Sequence, residues 1–288
     1  MDSMSNKPIT IVFADSTCDL SNELIDRYDV HIIPLHITLG EKNGLDRVDF
    51  STEDLISFVD ETSILPKTSA PSPSDYLDAF RSASNEGKEI LYIGLGSGFS
   101  TSINNAQLAC EQLDCKYRIV DSENLSAGIG LLVIKACELA GQNKHCDEIA
   151  DTIEALVPKV ETSFVIDALD YLYKGGRCSG AAVFGSNLLK IKPCIEVSNG
   201  EMIVGKKYQG SLEKCFEKYI KDKLFQRNDI SYDRIILAYS VLDERIIKRL
   251  ESVINTYASF HEILLTQAGA TITSHCGPNC MGILFIRK

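Results

Sequence analysis

The chain has 288 residues, of which 44% are hydrophobic and 24% are charged, and its net charge is −11. This composition is typical of a globular protein with room for about two domains. The diffuse negative charge argues against non-specific nucleic-acid binding and against electrostatic docking on anionic lipid. No run approaches 18 apolar residues, so we expect no membrane span. Residues 1–7 are polar and the apolar run 9–14 is too short for a secretion signal, which predicts a cytoplasmic protein.

Strand-like and helix-like runs alternate through the first half of the chain. The predicted strands cover residues 9–14, 30–39, 89–95 and 117–120, and the predicted helices cover residues 21–28, 50–62, 74–85, 104–113, 127–141 and 146–160. Pro34 interrupts the second strand, which predicts an edge or bent strand. Residues 66–73 are rich in proline and serine and indicate an extended loop. The repeated order of strand, polar loop and helix predicts a parallel sheet covered by helices.

The last of these helices stops near Pro158, and we place the domain boundary there, between domains 1–160 and 161–288. In the second half, Asn199 and Gly200 separate two β-rich runs and predict a hairpin. Predicted strands cover residues 191–197, 201–205, 234–241, 261–266 and 281–286, and predicted helices cover residues 169–173, 211–224 and 243–257. The fold class is therefore α/β, with a mostly parallel first sheet and a mixed second sheet.

Ten cysteines are scattered along the chain without a CxxC pair. In a reducing cytoplasm they stay free thiols that pack as small apolar residues. The nearest approach to a metal-ligand set is His275, Cys276 and Cys280, which is a weak trio for zinc. We expect no metal and no cofactor.

Polar loops follow three predicted strands, at residues 15–19, 96–102 and 121–126. Ligands of open α/β sheets bind where strands end, so we expect these loops to cluster, although helix capping explains each loop alone. The glycines of loop 96–102 could aim backbone N–H groups at an anion. The loop lacks the Walker ending, Phe99 replaces the third glycine of a dinucleotide fingerprint, and its serine spacing does not match the hydrolase elbow.

Two further segments carry residues suited to a site. In segment 174–177, Lys-Gly-Gly-Arg, a helix C-terminus explains one glycine and the lysine but not the second glycine or the arginine. His275 is the most site-like histidine, in a predicted loop before the final strand, and a purely structural histidine is the alternative.

Six segments in this order resemble the motifs of the DegV family, bacterial carriers that hold one fatty acid. They are Asp-Ser-Thr-Cys-Asp-Leu at 15–20, Thr-Ser-Ala-Pro-Ser at 68–72, the serine-rich loop around Ser100, Val-Asp-Ser at 120–122, Lys-Gly-Gly-Arg at 174–177 and Ser-His-Cys-Gly-Pro at 274–278. The resemblance implies two α/β domains with a fatty-acid tunnel between or beneath them. It also implies a separate fatty-acid kinase subunit as partner, whose acyl-phosphate product feeds phospholipid synthesis.

The resemblance implies roles for individual residues. Thr68 and Ser100 would donate hydrogen bonds to the fatty-acid carboxylate, with Ser97 nearby and His275 in the same polar network. Arg177 resembles the residue near the portal that presents the head group to the kinase. No residue of the chain is implied in catalysis, because phosphoryl transfer belongs to the partner.

The chain departs from the family pattern at two glycine positions, which are Thr101 and Asn279 here. Thr101 must avoid a backbone conformation reserved for glycine, whereas asparagine tolerates left-handed geometry. Two other classes of function stay open: an α/β enzyme, either a phosphotransferase or a hydrolase that uses loop 96–102, and a structural interaction module.

Overall fold

The computed structural model describes residues 9–167, 169–178 and 191–288. Expectations that rest on residues 1–7 lie outside this range. The strands are β1 Thr10–Asp15, β2 His31–Ile33, β3 His36–Leu39, β4 Lys42–Leu45, β5 Lys67–Ser69, β6 Glu89–Gly94, β7 Tyr117–Asp121, β8 Val160–Val165, β9 Ile191–Ser198, β10 Glu201–Gln209, β11 Ile230–Tyr239, β12 Glu262–Gln267 and β13 Met281–Arg287.

The helices lie close to their predicted positions, except for α10, which was not predicted. They are α1 Asn22–Tyr28, α2 Thr52–Thr62, α3 Pro73–Asn85, α4 Ser102–Cys110, α5 Ala127–Ala140, α6 Cys146–Leu156, α7 Asp170–Gly175, α8 Leu212–Leu224, α9 Glu244–Tyr257 and α10 Ala270–Cys276. Serine caps begin several of them: Ser51 and Ser72 each form a capping box, with Asp54 and Asp75 respectively.

Within the described residues, the strands form three sheets. The first has the order β2-β1-β6-β7 and all its pairs are parallel. The second has the order β10-β9-β8-β13-β11-β12 and is mixed, since only the β11–β12 pair is parallel. A small antiparallel sheet has the order β4-β3-β5. The predicted α/β class, the parallel first sheet and the mixed second sheet are confirmed.

Helix α5 joins the two large sheets. It contacts β1 and β6 of the first sheet and β8, β11 and β13 of the second. A helix between two layers must be apolar on all sides, and nearly every residue of α5 is buried. The largest cluster of buried apolar residues therefore includes residues of both sheets. The division at residue 160 stays a prediction.

Three local predictions were wrong. The helix predicted to reach Val160 ends at Leu156, and after one 3-10 turn that contains Pro158 the chain enters β8, which lies between β9 and β13. This segment forms a strand because β8 pairs with both β9 and β13. The short strands β4 and β5 were not predicted, and β5 lies within residues 66–73, which were expected to be an extended loop. His275 lies in helix α10 instead of a loop.

Candidate functional site

Helix α10 carries the central histidine of the site. The backbone N–H of Gly269 donates to Asp19 Oδ1 at 2.8 Å just before the helix begins. The helix ends at Gly277, whose φ is 74°, and a β-carbon there would lie 2.7 Å from the ring of Tyr171. Because both ends are fixed by tertiary contacts, the position of His275 is set by the fold.

His275 and Thr68 form the polar centre. Thr68 in β5 brings its Oγ1 to 2.9 Å from His275 Nε2, although 207 residues separate them. Burial and the nearby Arg177 guanidinium lower the pKa of His275 to about 4, so the ring is neutral at pH 7. In the tautomer that carries its proton on Nε2, the ring donates to Thr68 and leaves the threonine hydroxyl hydrogen for a ligand.

The two glycines of segment 174–177 have different structural roles. Gly176 ends α7 in the left-handed conformation, with φ of 69°. Gly175 lies against the imidazole, and a β-carbon there would lie 2.5 Å from His275 Nδ1, a buried atom that has no hydrogen-bond partner among the described residues. The helix-end interpretation of this segment therefore holds for one glycine, and the other makes room for the histidine.

Alanine at these two glycines should separate binding from stability. We expect Gly175→Ala to displace His275 and lower fatty-acid retention severalfold, because its β-carbon would overlap the ring. Gly176→Ala meets nothing within 4 Å, so it should cost about 1 kcal/mol of folding free energy through its positive φ and leave retention intact. Lipid content and urea unfolding of both variants measure this, and equal retention in the two would contradict the role of Gly175.

Two carboxylates, the buried Asp15 and the partly exposed Asp121, hold loop 96–102 and its preceding residue in place. Asp15 is fully buried and accepts from Tyr76 and Tyr92 at 2.8 and 2.7 Å, and from the N–H of Leu95 at 2.9 Å. Burial raises the pKa of Asp15. Asp121 accepts from the N–H of Ser97 at 3.1 Å. The loop is therefore preorganised by both neighbouring strands.

The loop delivers one of its two predicted serines to the site. Ser100 lines the same cavity as Thr68 and His275, and its Oγ is 3.0 Å from Ser102 Oγ. Ser97 is exposed and is not among the residues that line this cavity. Thr101 adopts φ of −86°, so the absence of glycine there causes no strain.

The three polar loops do cluster, as predicted. Ser126 donates to Asp19 Oδ2 at 2.5 Å, which joins the first loop to the third. Burial and the neighbouring Asp46 raise the pKa of Asp19 to about 7. Sequence patterns missed Asp46, which follows β4; its Oδ2 accepts from Ser16 at 2.7 Å, and its buried Oδ1 has no partner among the described residues.

Two adjoining cavities extend from the polar centre. The polar residues that line the first, cavity A, are Thr68, Ser69, Ser100, Arg177, Thr271 and His275. The rest of its lining is apolar, and its volume is about 60 Å³. The second, cavity B, has a volume of about 40 Å³ and shares four lining residues with it, Leu125, Phe164, Ile272 and Cys276. The surface of both cavities is mainly apolar, and Thr68, Ser100 and His275 line cavity A but not cavity B.

The described residues contain neither a metal-binding cluster nor a helix suited to span a membrane. Within residues 9–167, 169–178 and 191–288, no group of three or more His, Cys, Asp or Glu side chains is arranged to hold a metal ion. No helix in these ranges combines the length and the apolar character needed to cross a membrane.

Known proteins resemble the chain over nearly its full length. The family model described as an uncharacterised protein of the DegV family matches residues 9–288. A DegV domain-containing protein of Clostridium acetobutylicum is 31% identical over 280 residues, which is 96% of this chain and 98% of the relative.

Solved structures agree with this match. A fatty-acid-binding DegV family protein of Thermus thermophilus superposes with a TM-score of 0.86 at 27% identity, covering 97% of this chain and 99% of that one. A stearic-acid-binding protein of Eubacterium ventriosum gives a TM-score of 0.82 at 26% identity, covering 96% and 98%. The order of the motifs, the fold and these matches agree, and this chain belongs to the DegV family.

Proposed function

We propose that the protein binds one long-chain fatty acid, with the carboxylate at Thr68 and Ser100 and the alkyl chain along cavities A and B. The observation that carries this proposal is a hydrogen-bonding cluster in cavity A, beside a mainly apolar cavity B that shares four of its lining residues. A carboxylate needs hydrogen-bond donors and a hydrocarbon tail needs dry apolar surroundings, and the two cavities offer both. The similar proteins of Thermus thermophilus and Eubacterium ventriosum, which bind fatty acids, support the same assignment.

The head-group site works without a buried cation. The imidazole of His275 is neutral at pH 7, and Arg177 is exposed at the cavity. The carboxylate would therefore accept hydrogen bonds from the hydroxyls of Thr68 and Ser100, which are strengthened because one partner is charged. His275 acts by orienting Thr68.

The tail supplies most of the binding free energy. Each buried methylene contributes about 0.8 kcal/mol, so a long chain binds much more tightly than a short one. Cavity volumes of about 60 and 40 Å³ are too small for such a chain at the present side-chain positions. Lining side chains, including the flexible Met202, must move apart when the acid enters.

Native mass spectrometry followed by solvent extraction tests the proposal. We expect an added mass of a few hundred daltons that extracts as free fatty acid, or uptake when fatty acids are offered to delipidated protein. Protein that neither retains nor takes up any fatty acid would overturn the assignment.

We further propose that the protein acts in the cytoplasm as the carrier subunit of a bacterial fatty-acid kinase, with no turnover of its own. Arg177 would present the head group: it is exposed, lines cavity A, and donates from Nη1 to the Gly175 carbonyl at 2.7 Å. A guanidinium at that place suits a carboxylate or an acyl-phosphate. The product would enter phospholipid synthesis.

Arg177→Ala is expected to retain fatty acid and to lose most acyl-phosphate formation by a cognate kinase, because the charged contact at the portal is removed. Arg81→Ala serves as the matched control, since Arg81 is an exposed arginine paired with Asp78 on α3. Coupled turnover of both variants is compared at equal lipid loading. Normal turnover by Arg177→Ala would remove the presenting role.

The enzyme alternative that uses loop 96–102 has less support. The N–H groups of Leu95, Gly96 and Ser97 already donate within the protein, to Asp15, Asn124 and Asp121. They are not free to cradle a phosphate. Purified protein alone is expected to leave ATP unchanged, and ATP loss that copurifies with the chain would favour the enzyme.

A further inference from the structure

Helix α10 turns one face toward cavity A. Four of its residues line this cavity, at the steps of one, three and four that share a helix face: Thr271, Ile272, His275 and Cys276. The other three, Ala270, Thr273 and Ser274, line neither cavity. Thr271 therefore shares the cavity face with His275, one helical turn away and about 6 Å along the helix axis.

The three hydroxyl side chains of α10 are all buried, but only two of them have partners. Thr273 Oγ1 donates to the Ala268 carbonyl at 3.4 Å, and Ser274 Oγ donates to the Ala270 carbonyl at 2.8 Å. Thr271 is 3% exposed, and its Oγ1 has no hydrogen-bond partner within residues 9–167, 169–178 and 191–288. The hydroxyl on the cavity face is therefore the one that is left unpaired.

Two other unpaired polar atoms belong to residues that line the cavities, and both lie against a helix backbone. His275 Nδ1 is 2.5 Å from the place that a β-carbon on Gly175 of α7 would occupy. Thr162 Oγ1 is 2.4 Å from the corresponding place on Gly128 of α5. These contacts leave Thr271 as the unpaired group for a ligand in cavity A.

An unpaired buried hydroxyl affects which ligand binds best. A buried hydroxyl without a partner costs free energy, and a ligand oxygen at hydrogen-bonding distance removes that cost. A site with such a hydroxyl therefore favours a ligand that carries oxygen at that place over the same ligand without it. An unsubstituted alkyl chain has no atom that can pair with Thr271.

The position of Thr271 indicates where the ligand oxygen would stand. The carboxylate of the proposed complex lies at Thr68, whose Oγ1 is 2.9 Å from His275 Nε2. Thr271 is one turn from His275 and lines cavity A but not cavity B. The oxygen must therefore lie near the carboxyl end of the acid, where the chain is still in cavity A.

We propose that the protein prefers a 3-hydroxy fatty acid, whose hydroxyl forms a hydrogen bond with Thr271 while its carboxylate binds at Thr68 and Ser100. This inference rests on the proposed fatty-acid binding and narrows its substrate class. A hydroxyl both donates and accepts, so a hydrogen bond in either direction pairs Thr271 with the ligand. An unsubstituted acid binds at the same site with lower affinity.

Competition between acids for delipidated, full-length protein tests the inference. We expect 3-hydroxypalmitic acid to bind about tenfold more tightly than palmitic acid, because it pairs the buried hydroxyl. ω-Hydroxypalmitic acid carries the same group at the methyl end, away from Thr271, and should bind no more tightly than palmitic acid. The measurement is the dissociation constant of each acid, obtained by displacement of a fluorescent fatty acid.

Two threonine variants of α10 assign the preference to one side chain. Thr271→Val keeps the shape of threonine without its hydroxyl, so it should bind palmitic and 3-hydroxypalmitic acid equally. Thr273→Val is the matched control, because Thr273 is a buried threonine of the same helix that lines neither cavity, and it should keep the preference. Urea unfolding checks that both variants fold.

The outcomes separate this inference from the proposed function. Equal affinity of wild-type protein for palmitic and 3-hydroxypalmitic acid would overturn the preference alone, and so would an equal gain for ω-hydroxypalmitic acid. A preference that survives in Thr271→Val would overturn the role of Thr271. Protein that binds none of the three acids would overturn fatty-acid binding itself. The comparison of acids uses wild-type protein, so it decides the matter even where a variant fails to fold.

Discussion

Thr68→Val is expected to weaken fatty-acid binding about 10- to 100-fold, because a hydrogen bond to a charged group contributes roughly 1.5–3 kcal/mol. Valine keeps the shape and the β-branch of threonine in β5 and removes only the hydroxyl. It also leaves His275 Nε2 without its partner at 2.9 Å. The measurement is the dissociation constant of a fluorescent fatty acid on delipidated protein.

Three further variants test whether the loss of affinity comes from the missing hydroxyl. Thr68→Ser should restore most of the affinity, because it returns the hydroxyl, and Ser100→Ala should weaken binding in the same direction. Thr38→Val removes a hydroxyl from the neighbouring strand β3, where it donates to Asn43 outside the cavities, and should have no effect. Unchanged affinity in both Thr68→Val and Ser100→Ala would remove these residues from the head-group site.

Asp19→Asn is expected to stabilise the protein at neutral and alkaline pH. The pKa of Asp19 is raised from 3.8 to about 7, chiefly by burial and with help from Asp46. Between these pH values the native state binds a proton that the unfolded state has lost. The contribution of Asp19 to the unfolding free energy is therefore greatest below about pH 4. It falls by up to about 4 kcal/mol in total as pH rises to about 7, and then levels off.

Asparagine imitates the protonated acid. Its Oδ1 can accept from the N–H of Gly269 and its amide can donate to Ser126, so the contacts of Asp19 survive. We expect the stabilities of the variant and the wild type to be closest at the acidic end, near pH 4.5, and to diverge toward pH 8. Urea unfolding across this range measures the difference, with the exposed Asp114→Asn as a control for the change of net charge. Parallel pH profiles for Asp19→Asn and the wild type would contradict the assignment.

Local sequence signals were reliable where local physics decides the structure. The Asn199–Gly200 turn has φ of 50° and 73°, as the two-residue hairpin signal predicted, and Ser51 and Ser72 cap their helices. Asn279 adopts φ of 57°, which asparagine tolerates. In each case the residue itself restricts or permits the required backbone conformation.

Local sequence patterns failed where contacts with residues far away in the chain determine the secondary structure. Val160 continues an amphipathic helical pattern, but pairing between β9 and β13 makes its segment a strand. His275 stands among residues typical of loops, but its helix is held between Asp19 and Tyr171. Neither partner lies near the segment in sequence, so no local pattern could reveal it.

The sequence by itself determined the class of fold, most of the elements and the candidate residues Thr68, Ser100 and His275. Only the tertiary structure decided which candidates meet: it brought Thr68 to His275, left Ser97 on the surface, and assigned Gly175 to the histidine ring. It also recruited Asp46 and brought together two cavities that share four lining residues. The physical reason is that capping and turn preferences act within a few residues, whereas a binding site depends on contacts made only when the core closes.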